Sequence, residues 1–344
     1  MTFLPHYFPR SVTYAKHLIQ LLLFTGGIFM INRLRPRYPE GIATIFFDKD
    51  MGMGNEMFQY VSLMALARMH NQQPVLYGDR GSHYRIHDYF YLTIPRVEAE
   101  EELLHPYLGY LAGFYRLTVD SCCKVPQQLM DLDYTPRRVY YGMYIQSHKL
   151  FRPYLRTIRK QFTFRSRILS ECQRTLHSIA TVPNELTGQP CRSHVFVGVH
   201  VRRGDMGNEK SVEFGHVMAD GDYLTRAVGH VKELINESIE PRSAIDPDRC
   251  IRFVIATNDY DWTRAQMSNT PNSVMLPQNM SAPHDMCVLA HCNYSIITVG
   301  TFGWWSALLA NGPTVYQARY AREGSLFHSQ FVKEDFFPDQ WVGL

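Results

Sequence analysis

Short runs of apolar, β-branched residues alternate along this chain with longer segments of helical periodicity. Runs typical of buried strands lie at residues 42–47, 74–78, 195–201, 250–262, 273–276 and 313–316. Helical spacing is found at residues 57–70 and 220–238, and residues 284–311 predict a helix, a strand, a turn and a second helix. Strands that alternate with helices predict an α/β fold built on parallel sheets.

A polar stretch at residues 181–193, which contains proline and glycine, divides this pattern and predicts a linker. Residues 42–185 are expected to form one Rossmann-like α/β domain and residues 186–344 a second, with a cleft between them. A chain of 344 residues is long enough for two domains that each bury a core. In residues 85–185 the pattern indicates helical and irregular segments but does not place them as defined elements.

An almost unbroken apolar segment lies near the N-terminus, at residues 18–31, with basic residues on both sides. It predicts a membrane anchor over residues 17–32, a cytoplasmic tail over 1–16 and a short stem over 33–41. A cleaved signal peptide and a buried helix are the alternatives. More positive charges follow the segment than precede it, which by itself favours an N-terminus on the non-cytoplasmic side of the membrane. Other sequence features that indicate the cellular compartment favour the opposite orientation.

The features that indicate the compartment are N-glycosylation tripeptides and cysteines. Asn236 and Asn279 begin N-glycosylation tripeptides; a third tripeptide, at Asn293, adjoins an apolar run and is not expected to be used. The seven cysteines lack the paired spacing of a zinc site, and in a lumenal compartment some of them would form disulfides. The net charge of +3 is small and its cations are scattered, so nucleic acid is not expected as a partner.

The most informative motif is HVRRGD, which ends the apolar run at residues 195–201. Arg202 and Arg203 follow a buried parallel strand, where ligands bind in open α/β sheets. Paired guanidinium groups there favour a diphosphate, because each fork offers two hydrogen bonds to an oxyanion. The alternative is a solvated basic turn in which Asp205 forms an ion pair.

Two more strand ends in the second half carry comparable groups. Asn258 and Asp259 follow the run VIAT, and side chains of these types hydrogen-bond bases or ribose. Thr301 and Gly303 follow the run IITV and open a helix, whose N-terminal amides favour anions. Ordinary helix capping explains each end separately. Three such ends in one sheet predict a nucleotide site.

In the first half, GMGNEMFQ (residues 52–59) places Gly52, Gly54 and Asn55 between a strand and a helix. It lacks the third glycine of the dinucleotide fingerprint and the lysine of a P-loop. We expect the glycines of this segment to let the backbone come close to another part of the molecule, with Asn55 reaching across the cleft. D-x-D triplets occur five times, so they do not single out a metal site, and arginines at a diphosphate make a metal unnecessary. We therefore predict no metal.

Three blocks taken together resemble those of the α-1,2-fucosyltransferases: HVRRGD, the N-terminal GMGNEMFQY, and DMCVLAHC followed by IITVGTFGWWSALLA. The family's usual forms are close to HVRRGD, G-x-GNQMFQY and SSFSWW, and the likeness covers about residues 41–320. Here Glu56 replaces the usual glutamine, and GTFGWW leaves Thr301 as the one hydroxyl of its turn. The resemblance implies a GT-B fold, metal-independent use of GDP-fucose, and fucose transfer to the 2-hydroxyl of galactose. It also implies a type II anchor in the Golgi membrane with a lumenal catalytic domain.

The resemblance also implies roles for individual residues. Arg202 is expected at the β-phosphate, with His200 assisting and Arg203 bracing the loop. The remaining expected GDP-fucose contacts are Asn55, Asn258, Asp259, Thr301, Phe302 and Gly303. Asp285, Glu56 and Asp205 are the candidates for a general base, and Asp205 is also a candidate partner that orients Arg202. The alternatives are an α-1,6- or protein O-fucosyltransferase and a non-catalytic, membrane-anchored glycan-binding protein.

Overall fold

Parallel strands build both large sheets of this molecule, so the fold is α/β. The computed structural model describes residues 41–45, 47, 50–78, 85–98, 115–119, 122–132, 137–142, 144–238 and 249–344. Residues 41–344 form one compact unit. The predicted tail and anchor, and all but the last residue of the predicted stem, lie outside the described residues. Within the described part, no helix is long and apolar enough to cross a membrane.

The first half of the described chain contributes a four-stranded parallel sheet. The described strands of this half are β1 (Gly41–Ile45), β2 (Gln72–Pro74), β3 (Leu76–Gly78), β4 (Arg96–Glu98), β5 (Tyr115–Leu117) and β6 (Arg138–Tyr141), of which four form the sheet. The sheet order is β2-β1-β6-β5, and β3 pairs separately with β4, also in parallel.

The second half contributes a six-stranded parallel sheet. Its strands are β7 (Ser193–Val201), β8 (Arg249–Thr257), β9 (Ser273–Met275), β10 (Tyr294–Ile297), β11 (Thr314–Tyr316) and β12 (Val342–Gly343). The order β12-β11-β10-β7-β8-β9 is that of a doubly wound nucleotide-binding sheet. The chain runs outward from β7 to β9 and then returns to β10 on the other side of β7. The sheet therefore has its topological switch point between β7 and β10.

Helices fill the connections between the strands. They are α1 (Met53–Met69), α2 (Ile86–Tyr89), α3 (Gln127–Met130), α4 (His148–Phe151), α5 (Leu155–Gln161), α6 (Ser166–Ala180), α7 (Glu209–Phe214), α8 (Gly221–Glu237), α9 (Tyr260–Met267), α10 (Ala282–Ala290), α11 (Thr301–Ala310), α12 (Leu326–Ser329) and α13 (Lys333–Phe336). The linker is predicted over residues 181–193; residues 181–192 contain neither helix nor strand, whereas Ser193 is the first residue of β7. The predicted domain boundary at residues 185 and 186 falls within this stretch and stays a prediction.

An aromatic cluster joins the two halves. Phe58 of α1 contacts Trp304 and Trp305 of α11, with ring centroids 4.7 and 5.1 Å apart. Phe151 of α4 and Phe336 of α13 pack on the same group. Both tryptophans are completely buried. This core fixes α1 against α11 and so sets the relative position of the two sheets.

Several element boundaries differ from the sequence prediction, and three of the differences change which element a residue belongs to. The predicted strand at residues 74–78 is two strands: Pro74 lacks the N–H needed to continue the ladder, and the chain changes partners from β1 to β4. The strand predicted over 250–262 ends at Thr257, after which Tyr260 opens α9. Helix α1 begins before residue 57, because the Gly52 carbonyl accepts hydrogen bonds from the amides of residues 55 and 56.

Candidate functional site

The three polar strand ends meet at one edge of the second sheet, as their sequence pattern predicts. Val201 lies opposite Thr257 in the register of β7 with β8, and His200 lies opposite Ile297 in the register of β7 with β10. The loops after β7, β8 and β10 therefore start side by side. This edge lies at the carboxyl ends of the strands, where doubly wound sheets bind ligands.

Arg202 is held in a fixed orientation by Asp205. Its Nε donates to Asp205 Oδ1 at 3.1 Å and its Nη2 to Asp205 Oδ2 at 2.5 Å. The Arg202 guanidinium lowers the pKa of Asp205, so this carboxylate stays ionised. Thr298 accepts a hydrogen bond from the Arg202 backbone N–H at 2.9 Å and anchors the start of the loop. Nη1 takes no part in the Asp205 bonds and so leaves donors for a ligand.

Gly300 gives Arg202 its space. Its φ of +100° lies in the region that favours glycine, and a Cβ at this position would lie 2.8 Å from Arg202 Nη1. The side chain of Arg202 therefore passes directly over the turn between β10 and α11. This contact places the guanidinium at the switch point.

Arg203 points away from that turn and braces the loop. Its Nε donates to Asp259 Oδ2 at 3.3 Å, its Nη1 donates to the carbonyl of Ala219, and its guanidinium lies 3.8 Å from the centre of the Trp262 ring. The Asp259 carboxylate therefore forms an ion pair with Arg203. These contacts occupy the guanidinium that the sequence offers as a second diphosphate contact.

Asn258 also hydrogen-bonds the loop. Its Oδ1 accepts from the backbone N–H groups of Arg203 and Gly204, at 2.8 and 3.2 Å, and its Nδ2 donates to Asp205 Oδ1 at 3.0 Å. With Arg202 and Asp205 it forms one hydrogen-bonded network. The predicted contact of Asn258 with guanine or ribose would have to be made alongside these bonds.

His200 is enclosed beneath the loop. Its ring lies 5.1 Å from that of Phe302, and a Cβ at Gly303 would come within 2.5 Å of His200 Nδ1. Burial, together with the nearby charge of Arg202, lowers the pKa of His200 to about 3. The imidazole is therefore neutral at physiological pH, and His200 is not among the described residues that line the cavity.

The N-termini of α1 and α11 meet at this edge. Thr301 Oγ1 donates to Asn55 Oδ1 at 2.7 Å, and Gln146 Nε2 donates to the same oxygen at 3.1 Å. Gly54 permits this approach, because a Cβ there would lie 2.6 Å from the Thr301 carbonyl carbon. Asn55 thus reaches across to the second half, as the sequence predicts, although it lies in the first turn of α1 rather than in a loop.

A cavity of about 780 Å³ opens over these residues, a size typical of ligand sites. Its described lining contains two arginines, Arg116 and Arg202, and no carboxylate. Asn55, Gly300 and Thr301 form the floor beside Arg202. The remaining described lining residues are Thr118, Val119, Cys122, Cys123, Tyr140, Gly142, Tyr144, Gln146, Met206, Phe214, His216, Tyr320, Phe327 and Gln330. The charge of this cavity suits an anionic ligand, and its aromatic rings suit a sugar face.

Two of the candidate bases lie away from this cavity. Glu56 is buried on α1 and accepts a hydrogen bond from the Ile86 N–H at 3.2 Å, and burial raises its pKa to about 7. Asp285 lies on α10 beside His284, and burial raises its pKa to about 6. Neither residue is among the described lining residues.

His216 is a cavity residue that the sequence analysis does not single out. Its ring packs against Phe327 with centroids 4.6 Å apart, and its Nδ1 is buried with no hydrogen-bond partner among the described residues. Burial and the charge of Arg202 lower its pKa to about 4, so the ring is neutral at physiological pH. An isolated histidine in the polar stretch after HVRRGD carries no periodic or motif signal, so only the fold reveals it.

The structure also shows the surroundings of the N-glycosylation tripeptides and of the cysteines. Asn236, Asn279 and Asn293 are all exposed, and the Asn293 side chain in addition accepts a hydrogen bond from the Phe196 N–H at 2.9 Å. Cys191 is disulfide-bonded to Cys250, and Cys122 to Cys123. The sequence leaves these pairings open.

Comparison with known proteins places the chain in a family. A family model described as glycosyl transferase family 11 matches residues 142–344. The galactoside alpha-(1,2)-fucosyltransferase 1 of Oryctolagus cuniculus is 29% identical over 314 residues, which cover 90% of this chain and 75% of that protein. The galactoside 2-alpha-L-fucosyltransferase SEC1 of Bos taurus is 26% identical over 324 residues, which cover 93% and 78%.

Solved structures give more distant matches. NodZ alpha-1,6-fucosyltransferase, soaked with GDP-fucose, is 16% identical with a TM-score of 0.48, over 78% of this chain and 92% of that chain. POFUT1 in complex with GDP is 11% identical with a TM-score of 0.44, over 81% and 98%. The family match, by contrast, covers more than half of the chain, including the loop of Arg202 and the turn of Gly300 and Thr301. This protein belongs to glycosyl transferase family 11.

Proposed function

We propose that this chain is an inverting glycosyltransferase that moves L-fucose from GDP-β-L-fucose to the 2-hydroxyl of a galactose, giving an α-1,2 linkage. Membership of family 11 and the names of the curated relatives support this activity. The observation that carries it is the cavity at the switch point of the second sheet, whose described lining includes Arg116 and Arg202 and no carboxylate. That position and charge suit the diphosphate of a sugar nucleotide.

Arg202 is the residue that assists departure of GDP. As the bond between fucose C1 and the phosphate oxygen breaks, negative charge grows on the β-phosphate. A guanidinium already oriented by Asp205 and Gly300 strengthens its contact in that transition state without reorganising. The first amides of α11 lie at the same edge and add donors.

The acceptor enters from the side of the cavity formed by the first half of the chain. Tyr140, Tyr144 and Gln146 line that side, facing Phe214 and His216. A direct displacement from this side inverts the β-linked donor to an α-linked product. The acceptor hydroxyl keeps its proton until late in the reaction and then releases it to water, so the neutral imidazole of His216 needs only to accept a hydrogen bond from that hydroxyl.

Transfer proceeds without a metal in this proposal, because Arg202 supplies the positive charge at the diphosphate. Initial rates should be unchanged after treatment with EDTA and should not rise with Mn²⁺. Strict dependence on Mn²⁺ would contradict the metal-free reaction.

The two halves form a GT-B arrangement, with donor bound to the second sheet and a type II anchor holding the chain in the Golgi membrane. The apolar segment at residues 17–32, the Cys191–Cys250 disulfide and the exposed Asn236 and Asn279 support a lumenal catalytic domain. Endoglycosidase treatment of the cellular protein should shift its mobility, and Asn236→Gln with Asn279→Gln should abolish the shift. A cytosolic, unglycosylated chain would contradict this location.

The activity is tested by incubating the purified protein with labelled GDP-fucose and an array of β-galactosides, followed by linkage analysis of the product. An α-1,2-fucosylated galactose is expected. An α-1,6 linkage or fucose on a protein hydroxyl would identify a different fucosyltransferase. Absence of GDP binding in calorimetry would favour a glycan-binding protein of the same fold.

A further inference from the structure

Three metal-binding side chains meet outside the cavity, between α6 and α10. Cys172 of α6 approaches Cys287 and His291, and their ligand atoms all lie within 4.8 Å of one another. His291 Nδ1 lies 3.6 Å from Cys172 Sγ and 3.8 Å from Cys287 Sγ. None of the three residues lines the cavity.

These separations match the distances between neighbouring ligand atoms in a tetrahedral metal site. Zinc binds thiolate sulfur at about 2.3 Å and imidazole nitrogen at about 2.0–2.1 Å in tetrahedral sites, which puts neighbouring ligand atoms roughly 3.5–3.8 Å apart. The Nδ1–Sγ distances of 3.6 and 3.8 Å fall on that spacing. Cys287 lies in α10 and His291 directly follows that helix, four residues further on, while Cys172 comes from another helix. Side chains from two elements thus converge on one point.

The donor set selects the metal. Two thiols and an imidazole are soft or borderline ligands that favour zinc over Mg²⁺ or Ca²⁺. Both thiols are buried, whereas His291 is exposed and gives an ion access from solvent. Without a metal, the His291 Nδ1–H donates to the Cys287 carbonyl at 2.7 Å. Binding would replace that bond, move the ring proton to Nε2, and release one proton from each thiol.

We propose that Cys172, Cys287 and His291 bind one zinc ion, with water as the fourth ligand, and that this ion clamps α6 to α10. The site is structural and separate from the transfer reaction. Helix α6 directly precedes the stretch that leads into β7, so the clamp would fix the start of the second half. An ion that binds the folded chain and not the unfolded one adds its binding free energy to folding stability.

The test uses the full chain with its Cys191–Cys250 and Cys122–Cys123 disulfides intact, freed of metal with a chelator and titrated with Co²⁺ as a spectroscopic probe. One equivalent should bind, with the visible bands of tetrahedral cobalt and a thiolate charge-transfer band. Zn²⁺ should displace the cobalt and raise the melting temperature. Cys292→Ser is the matched control, because Cys292 is also buried and free but lies outside the group.

The ligand variants decide the outcome. Cys287→Ser and His291→Ala should each weaken Co²⁺ binding by at least about tenfold and abolish the thermal shift. His291 is exposed, so His291→Ala keeps the test valid should the buried cysteine variant fail to fold. Unchanged Co²⁺ affinity in His291→Ala, no saturable uptake by the wild type, or a Cys172–Cys287 disulfide in the native protein would each overturn the proposal.

Discussion

Arg202 owes its orientation to contacts that leave it partly open. Asp205 takes Nε and Nη2 of the guanidinium, Gly300 makes room beside Nη1, and about a third of the Arg202 side chain is exposed. Neighbouring Arg203 has its guanidinium engaged by Asp259, Ala219 and Trp262. Two adjacent arginines of one motif therefore have different tasks: one faces the ligand and the other stabilises the loop.

Replacing Arg202 tests this division. Arg202→Ala should lower kcat by about 10²–10³-fold, because it removes a donor aimed at developing charge. Arg202→Lys should also fail, since an ammonium cannot reproduce the fork. Initial rates with GDP-fucose measure the effect, and a thermal melt close to that of the wild type shows that the variants fold. The exposed Arg264 provides the control, since Arg264→Ala should keep the normal rate. A normal rate in Arg202→Lys would contradict the assignment.

Glu56 makes folding stability depend on pH. Burial raises its pKa to about 7 from 4.5, so the folded protein holds this proton more tightly, and stability is lost as the pH rises through 7. Glu56→Gln removes that loss, because the amide oxygen still accepts from the Ile86 N–H. Urea unfolding should show the variant up to about 3 kcal/mol more stable at pH 8, with the difference shrinking toward pH 5. A difference independent of pH would contradict this account.

At the scale of elements, the contact between α1 and α11 brings the two halves of the site together. Gly54→Ala would put a Cβ against the Thr301 backbone, and overpacking of this kind costs about 1–3 kcal/mol. Gly229 of α8 is the matched control, because a Cβ there meets nothing within 4 Å. Gly229→Ala should stabilise by about 0.5–1 kcal/mol. Urea unfolding measures both, and a Gly54→Ala protein as stable as the wild type would contradict the close approach.

The elements also show where sequence patterns suffice. The strand ends at Val201, Thr257 and Ile297 are marked by the change from β-branched to polar residues, and they lie together because parallel strands share an edge. The strand before Asn258 was predicted too long, since Tyr260 and Trp262 look apolar in a linear pattern but belong to α9. Local composition therefore predicts the position of a buried strand better than it predicts the residue at which that strand ends.

At the scale of the molecule, tertiary contacts decide what sequence patterns do not. The cavity walls from the first half, such as Tyr140 and Gln146, have no periodic or motif signal, because chain segments distant in sequence bring them to Arg202. Arg252 looks misplaced inside a β-branched strand. In the fold it is buried and donates to the carbonyls of Val182 and Pro183, which pins the linker to the second sheet.

The central claim is that a nucleoside diphosphate binds at the switch point between β7 and β10, against Arg202. A crystal structure with GDP tests it most directly. The β-phosphate should lie within about 2.7–3.2 Å of an Arg202 nitrogen, beside Gly300 and Thr301. A nucleotide bound elsewhere, with the Arg202 guanidinium still directed only at Asp205, would contradict the account.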